Sequence, residues 1–353
     1  MTATPFDHPL LSGLLGDDEV AAQFSAAAEL EEYGYFEAAL AHAEAAEGVI
    51  PPEAAEAIAA ACADFAPDLA AIRTATARDG VAIPEFVRQL RALLPEPLAP
   101  HLHFGATSQD VVDTALIRRL SPVLTLFAAR IEAVMAALDA LDRRYGKAPM
   151  LARTRMQQAI PITVSDRLAE WRGPLPRHLE RLRQLQPRLL LLQFGGAAGT
   201  LDKLGPKGPA VARRLAAALD LGLPDRNWQT ARDNLAELAA WLALLAGSLG
   251  KIGIDIALMA QNEIGEVRLE GGGTSSAMPH KSNPVAAEVL VTLARHAATL
   301  AGGMQQALVH EQERSGAAWT LEWLILPQLV LTTGASLRTT LNLLGRIVRL
   351  GKE

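Results

Sequence analysis

Residues 228–266 read WQTARDNLAELAAWLALLAGSLGKIGIDIALMAQNEIGE and form the longest candidate helix of the chain. Apolar side chains recur along this segment at helical spacing, and they cover more than one face of the helix. They are Leu235, Leu238, Trp241, Leu242, Leu245, Leu249, Ile252 and Ile256. A helix that is apolar around most of its circumference must be buried on several sides. The segment therefore predicts a helix bundle, and it favours association between subunits.

The rest of the chain has the composition of an all-α protein. Half of its 353 residues are hydrophobic, only 5% are aromatic, and alanine is abundant, which favours closely packed helices. Further helical stretches are predicted at residues 111–144, 164–192, 284–309 and 321–349, with an interruption of the second by Pro174, Pro176 and Pro187. We expect an N-terminal helical domain over residues 1–110 and a long-helix bundle and tetramerisation domain over residues 111–353.

Charge and cysteine content exclude several classes of partner. A net charge of −6 gives no general attraction to nucleic acid or to an anionic membrane, so neither is expected as a partner. The apolar run Leu238–Gly250 is shorter than the roughly 18 residues that a membrane span needs. The single cysteine, Cys62, excludes an intramolecular disulfide. With no secretory signal expected at the N-terminus, these features predict a cytoplasmic protein.

A glycine-rich loop precedes the helix predicted at residue 284. Residues 271–284 read GGGTSSAMPHKSNP, in which Asn283 is a favoured N-cap and Pro284 suits the first helical turn. Backbone N–H groups at such a helix end, with Lys281 beside them, would stabilise an anionic substrate or a serine alkoxide. The loop therefore predicts proton transfer next to a carboxylate.

The run SSAMPHKSNP closely resembles the signature of the fumarase/aspartase superfamily, whose members add or eliminate a group beside a carboxylate. The resemblance implies a homotetramer with a central bundle and active sites built from three segments of three subunits. It implies that Ser275 exchanges a proton at carbon, that Lys281 and Asn283 stabilise the enolate-like carboxylate, and that Ser276, Met278 and His280 contact the substrate. Most members continue into a small C-terminal helical domain, which this chain, ending at Glu353, is expected to lack.

Two further polar segments resemble the other signature regions of this superfamily. The first is HLHFGATSQD at residues 101–110, and the second is LARTRMQQAIPIT at residues 151–163. Taken alone, Thr107 or Ser108 is an N-cap with Asp110 in the first helical turn. The resemblance adds a set of substrate contacts. They are His103, Thr107, Ser108, Thr154, Arg155 and Gln157, with Arg314 as an extra carboxylate contact.

Arg155 departs from the pattern of many lyases of this superfamily, which have a histidine there that helps to protonate the departing group. A carboxylate that attacks or leaves needs no such acid, because it is stable at neutral pH. Arg155 could instead grip a substrate carboxylate, with Glu288 holding it in place. The chain resembles the carboxymuconate cycloisomerases of the superfamily, which also lack that histidine, and this resemblance implies lactonisation of the small tricarboxylate 3-carboxy-cis,cis-muconate.

No cofactor is expected, because the histidines lack zinc-type spacing and the glycine runs lack the strand context of a nucleotide-binding fingerprint. Two other functions stay open. An adenylosuccinate- or argininosuccinate-type lyase would need another acid, such as His103 or His280. A non-catalytic structural paralogue is the alternative from a different class, and the intact Ser275, Lys281 and Asn283 argue against it.

Overall fold

The computed structural model describes residues 4–271, 273–274, 278 and 282–352. Six short to medium helices make up the N-terminal part of the described chain. They are α1 Ser12–Leu15, α2 Asp18–Ala22, α3 Ala26–Ala46, α4 Pro52–Ala63, α5 Leu69–Asp79 and α6 Ile83–Arg91.

Longer helices follow and alternate with short strands. The helices are α7 Ser108–Tyr145, α8 Val164–Arg172, α9 Pro174–Leu189, α10 Gly208–Ala218, α11 Asp233–Met259, α12 Val285–Gln306 and α13 Gly316–Gly345. The strands are β1 Pro149–Thr154, β2 Gln157–Thr163, β3 Val267–Leu269, β4 Gly273–Thr274, β5 Ser282–Asn283 and β6 Ile347–Leu350. They form three antiparallel pairs, β1 with β2, β3 with β6 and β4 with β5. The mainly helical fold confirms the predicted all-α class.

The main hydrophobic core lies along α11. This helix packs against α12, α13 and α9, while α7 packs against α13. Its apolar residues are buried around the helix, and Leu238, Leu242 and Leu249 are fully buried. Gly250 and Gly253 let α12 approach closely, because a Cβ on either would lie within 2.7 Å of Ala294 or Leu290. The several-sided burial predicted for this helix is therefore confirmed.

A second hydrophobic cluster joins the N-terminal helices α3, α4 and α6 to the first turns of α7 and to α10. Aromatic rings fix its centre, where Tyr33 and Phe65 both meet Phe86 edge to face at 5.5 and 5.2 Å. This cluster supports the polar segment that leads into α7. The division into two domains at residue 110 stays a prediction.

Several predicted helix boundaries differ from the structure, among them those of segment 228–266, where the helix spans Asp233–Met259, and one predicted interruption is confirmed. The helix expected from Pro284, with Asn283 as its N-cap, begins one residue later at Val285, because Asn283 pairs with Gly273 in the β4–β5 ladder and Pro284 takes the N-cap position. The helix expected over residues 321–349 ends at Gly345, since residues 347–350 pair with β3. The predicted interruption occurs at Pro174, where α8 gives way to α9.

Two helices reach the length and mean hydropathy of a membrane span. In α11 the most apolar window is 56% buried within the molecule, whereas in α12 it is 28% buried. Core helices of globular proteins also meet these two criteria, so the finding carries little weight for a membrane. It does show that α12 leaves much apolar surface uncovered in the single chain.

Candidate active site

The first polar segment is fixed at the start of α7 by a buried carboxylate. Asp110 is fully buried and accepts hydrogen bonds from the backbone N–H groups of Thr107, Gly195 and Gly196 at 2.9–3.0 Å. Burial raises the pKa of Asp110 to about 6, although these donors and Gln193 act to lower it. Thr107 is the N-cap, as predicted, and Ser108 is the first helical residue. Both side chains are half-buried at the head of the helix.

A network of buried charges lies beneath this segment. Arg232 makes two hydrogen bonds to Asp113 and two to Glu322, and all three side chains are at most 2% exposed. Gln109 donates to Asp113 and accepts a hydrogen bond from Nε of Arg314 at 3.2 Å. Arg314 also donates to the carbonyl of Ala197 at 3.0 Å. The structure thus places Arg314, predicted only by resemblance, beside the first segment.

His103 is held from below by the helix α3. Its Nδ1 lies 2.6 Å from Oε1 of Glu37, which is buried. Burial would lower the pKa of His103, but the charge and the hydrogen bond of Glu37 outweigh it and raise the pKa above its usual range. The backbone of His103 is in the left-handed region, with φ of 61°. A non-glycine residue in that region stores strain of about 1–3 kcal/mol.

The second polar segment is a β-hairpin. Arg155 and Met156 form its two-residue turn, and both have positive φ, of 47° and 67°. Such a turn matches the twist of the paired strands, but it usually contains asparagine or glycine. Thr154 and Gln157 pair with each other at the ends of the strands. All four side chains are exposed, so the hairpin presents Arg155 at its tip.

A buried ion pair anchors the base of this hairpin. Glu266, just before β3, accepts a hydrogen bond from Nη1 of Arg153 at 2.6 Å and one from the N–H of Leu151 at 3.3 Å. Its side chain is fully buried, and that of Arg153 is 19% exposed. Since β3 leads directly into the glycine-rich loop, Glu266 ties the second and third segments together at their bases.

The described part of the third segment lines an open cleft with a volume of about 530 Å³. Its lining residues come from the end of α11, from the loop and from the start of α12. They are Ala257, Leu258, Ala260, Gln261, Asn262, Glu263, Met278, Ser282, Asn283, Pro284 and Glu288. Of the predicted residues, Asn283, Met278 and Glu288 therefore lie together. Ser275, Ser276, His280 and Lys281 lie outside the described residues.

The described residues of the single chain do not bring all three segments together around this cleft. Among the described residues that line it, none belongs to residues 101–110 or to the hairpin. No ion pair joins Arg155 to Glu288 in the described part of the chain, although both side chains are exposed. The described cleft wall carries two carboxylates, Glu263 and Glu288, and no arginine or lysine. A polyanionic substrate would need positive charge from elsewhere.

Sequence reasoning missed the residues that hold the segments in place, namely Glu37, Arg153 and Glu266. A detectable signal existed for Glu37, because Glu37 and Glu44 are spaced seven residues apart between the apolar residues of α3 and so share its buried face. No comparable signal marks Glu266. Within the described ranges no group of three His, Cys, Asp or Glu residues is arranged to hold a metal ion, and the expected independence from cofactors stays a prediction.

Comparison with known proteins identifies relatives over most of the chain. A model of the lyase family matches residues 17–298. A 3-carboxy-cis,cis-muconate cycloisomerase of Bradyrhizobium diazoefficiens is 43% identical over 342 residues, which are 95% of this chain and 76% of that protein.

Solved structures agree with this similarity. The 3-carboxy-cis,cis-muconate lactonizing enzyme of Pseudomonas putida superposes with a TM-score of 0.90 at 38% identity, over 97% of this chain and 77% of the other. A fumarate lyase of Mesorhizobium sp. BNC1 superposes with a TM-score of 0.89 at 37% identity, over 96% of this chain and 76% of the other. The chain thus spans about three quarters of each relative.

Proposed function

Because the chain belongs to the lyase family, within the fumarase/aspartase superfamily, we propose that it is a cycloisomerase that lactonises 3-carboxy-cis,cis-muconate. The observation that carries this proposal is the 43% identity, over 95% of the chain, to a relative of that name. The product is a carboxymuconolactone, and such a reaction belongs to the breakdown of protocatechuate.

The reaction joins two parts of one substrate. An oxygen of one substrate carboxylate adds to a carbon of the conjugated diene, forming the ring C–O bond, and the electron pair of the double bond moves toward a neighbouring carboxylate. The adjacent carbon then takes up one proton, so that the substrate trianion plus one proton gives the lactone dianion, and the neutral acids of substrate and product are isomers. The attacking group is already an anion at neutral pH, so its activation needs no base. The demand on the protein is to hold three carboxylates and to deliver one proton.

We assign these tasks by matching the signature residues. Ser275 exchanges the proton at carbon, activated by Lys281 and by the helix end, and Lys281 and Asn283 stabilise the enolate-like intermediate. Arg155, exposed at the hairpin turn, binds a substrate carboxylate. The half-buried His103, Thr107 and Ser108 orient the substrate, together with Thr154, Gln157 and Arg314.

We further infer that the active site is shared between the subunits of a homotetramer. The acidic cleft wall supports this, because Glu288 has no arginine partner in the described part of its own chain and Arg155 of another subunit would supply one. The apolar surface of α12 that the single chain leaves uncovered also favours association. The neighbouring helices also carry exposed apolar residues, Leu244 and Ile254 on α11 and Leu324 on α13. The cytoplasmic location stays a prediction.

An ultraviolet assay with 3-carboxy-cis,cis-muconate tests the proposed reaction. We expect rapid loss of the conjugated diene, unchanged by a chelator, and almost complete loss of turnover in Ser275→Ala. Arg155→Ala should raise KM by about tenfold or more, since it removes a charge-assisted contact to the substrate. Arg143, which is exposed on α7, provides the control, and Arg143→Ala should leave KM unchanged. If a folded oligomer leaves the diene intact, turnover of adenylosuccinate or argininosuccinate would identify a lyase. Inactivity toward all three would favour a non-catalytic paralogue.

Mixing two impaired variants tests the shared site, at substrate concentrations below the wild-type KM, where Arg155→Ala is also slow. Ser275→Ala and Arg155→Ala are unfolded together and refolded as hybrid oligomers. Sites built from different subunits should recover part of the activity, because some sites then receive both native residues. Refolding each variant alone is the control. A mixture no more active than the average of its two components would contradict sharing between these two segments.

A further inference from the structure

Two buried glutamates lie behind the histidine of the first polar segment. Glu37 and Glu44 are 1% and 0% exposed, and a separation of two helical turns puts them on the same face of α3. Glu37 uses Oε1 to bind Nδ1 of His103 at 2.6 Å. Its Oε2 and both oxygens of Glu44 have no hydrogen-bond partner among the described residues. Burying two carboxyl groups with so few hydrogen-bond partners costs free energy, so we expect the pair to have a function.

The contact to Glu37 is one of two that fix His103. Arg91, on α6, donates hydrogen bonds to the carbonyls of Ala99 and Leu102 at 3.2 and 3.1 Å, which holds the backbone just before the histidine. Glu37 holds the imidazole ring. Together they maintain the left-handed backbone of His103, which an unsupported residue would leave.

The charges around the ring favour imidazolium. Three charged groups act on it, Glu37 from α3, Asp110 from α7 and Arg91 from α6, and the first two raise the pKa of His103 while Arg91 lowers it. Burial and the charge of Glu37 raise the pKa of Glu44 to about 9, which leaves Glu44 neutral at pH 7. Glu44 is therefore a neutral neighbour of Glu37, and so is Cys62, on α4.

We propose that Glu37 is a positioning residue for substrate recognition: it occupies Nδ1 of His103, so that Nε2 is the only ring atom left to donate a hydrogen bond to a substrate carboxylate. This inference rests on the proposed function, since it assigns one of the three carboxylates to His103. The proposal also argues against His103 as the acid that protonates a leaving group. A ring held as a cation by a buried carboxylate binds an anion well and gives up its proton poorly.

The variant Glu37→Gln tests this role, and Glu44→Gln is its matched control on the same buried face. Glu37→Gln should raise KM by about tenfold while kcat changes little, because the charge-assisted contact to substrate is weakened in the ground state and the transition state alike. Glu44→Gln should leave KM unchanged. In a His103→Gln background, Glu37→Gln should have no further effect on KM. Equal KM increases in the two glutamate variants, or an unchanged KM in Glu37→Gln, would overturn the proposal.

Two measurements remain decisive even if the wild type does not turn over carboxymuconate. Nuclear magnetic resonance of histidine-labelled protein, with His103→Gln used for assignment, follows the titration of this ring, which should shift to lower pH in Glu37→Gln and not in Glu44→Gln. Calorimetric titration with propane-1,2,3-tricarboxylate should show weaker binding in Glu37→Gln alone. An inactive wild type would refute the proposed reaction, whereas an unshifted His103 titration with unchanged tricarboxylate binding would refute the role of Glu37.

Discussion

The variant Glu44→Gln should make the protein more stable in mildly alkaline solution. Burial, and secondarily the charge of Glu37, raises the pKa of Glu44 from its ordinary 4.5 to about 9. In the unfolded chain this carboxyl loses its proton above its ordinary pKa, whereas in the folded protein it keeps the proton up to the raised pKa. Between these two values the folded state binds one more proton than the unfolded state, so the free energy of unfolding falls as the pH rises.

The magnitude follows from the length of that pH window. Each pH unit inside it lowers the free energy of unfolding by about 1.4 kcal/mol, so a rise from about pH 5 to about pH 8 costs roughly 4 kcal/mol. This is an upper figure, because partial opening of the helix to water would reduce it. Since glutamine resembles the protonated acid in shape and charge, Glu44→Gln should remove most of this cost.

Urea unfolding at fixed protein concentration, at several pH values over that range, measures the effect. The decisive quantity is the difference in free energy of unfolding between Glu44→Gln and wild type, which should grow with pH. Other titrating groups cancel in this difference. The variant Glu31→Gln, on the exposed face of the same helix, is the control and should show no such trend. Parallel pH dependence of Glu44→Gln and wild type would refute the reasoning.

Three other substitutions test buried charged and titratable side chains. Arg232→Met should lower the free energy of unfolding by about 3–5 kcal/mol, because Asp113 and Glu322 would stay buried without their cation, and urea unfolding measures this loss. His178 is buried and its pKa is lowered to about 4 by burial and by Arg181 and Arg177, so stability should fall as the pH drops below 6.5 toward 4. His178→Gln should flatten that acid limb, and unchanged acid sensitivity would contradict the assignment. Glu266→Ala should lower kcat/KM by about tenfold, since the hairpin that presents Arg155 loses its anchor, and a wild-type value would contradict that link.

The sequence predicted the helices that have strong hydrophobic periodicity, and it missed a strand whose pairing partner lies far away in the chain. Helix α11 was predictable because its apolar residues recur at helical spacing on several faces, and the break at Pro174 follows from the missing N–H of proline. The end of α13 was not predictable from the sequence. Residues 347–350 form a strand because they pair with β3, which lies about 80 residues away in the chain. Propensity within a short window carries no information about such a partner.

The residues of the candidate site also fall into a group that the sequence predicted and a group that depends on tertiary structure. Motif resemblance found residues that would meet substrate, such as the half-buried His103 and the exposed Arg155, because the residue types themselves carry the chemistry. It did not find Glu266, whose role depends on a strand pairing that brings it to Arg153. Asp110 was predicted as a first-turn residue, but its bonds to the N–H groups of Gly195 and Gly196 depend on tertiary structure.

The buried carboxylates explain how an acidic protein can present cations to an anionic substrate. Among the described residues, six that are not glycine have positive φ, and three of them are His103, Arg155 and Met156, in the two segments that carry predicted substrate contacts. Each segment is held from beneath by an acid, Glu37 for His103 and Glu266 for the hairpin. Such an acid fixes the segment that carries the strained backbone through short hydrogen bonds, and it leaves the outward cation in place. Replacing either acid by a neutral residue should therefore disturb the orientation of the cation more than it changes the net charge of the site. The loss of substrate affinity or of kcat/KM should then persist at high ionic strength, because salt screens long-range electrostatic effects and leaves a change of orientation in place.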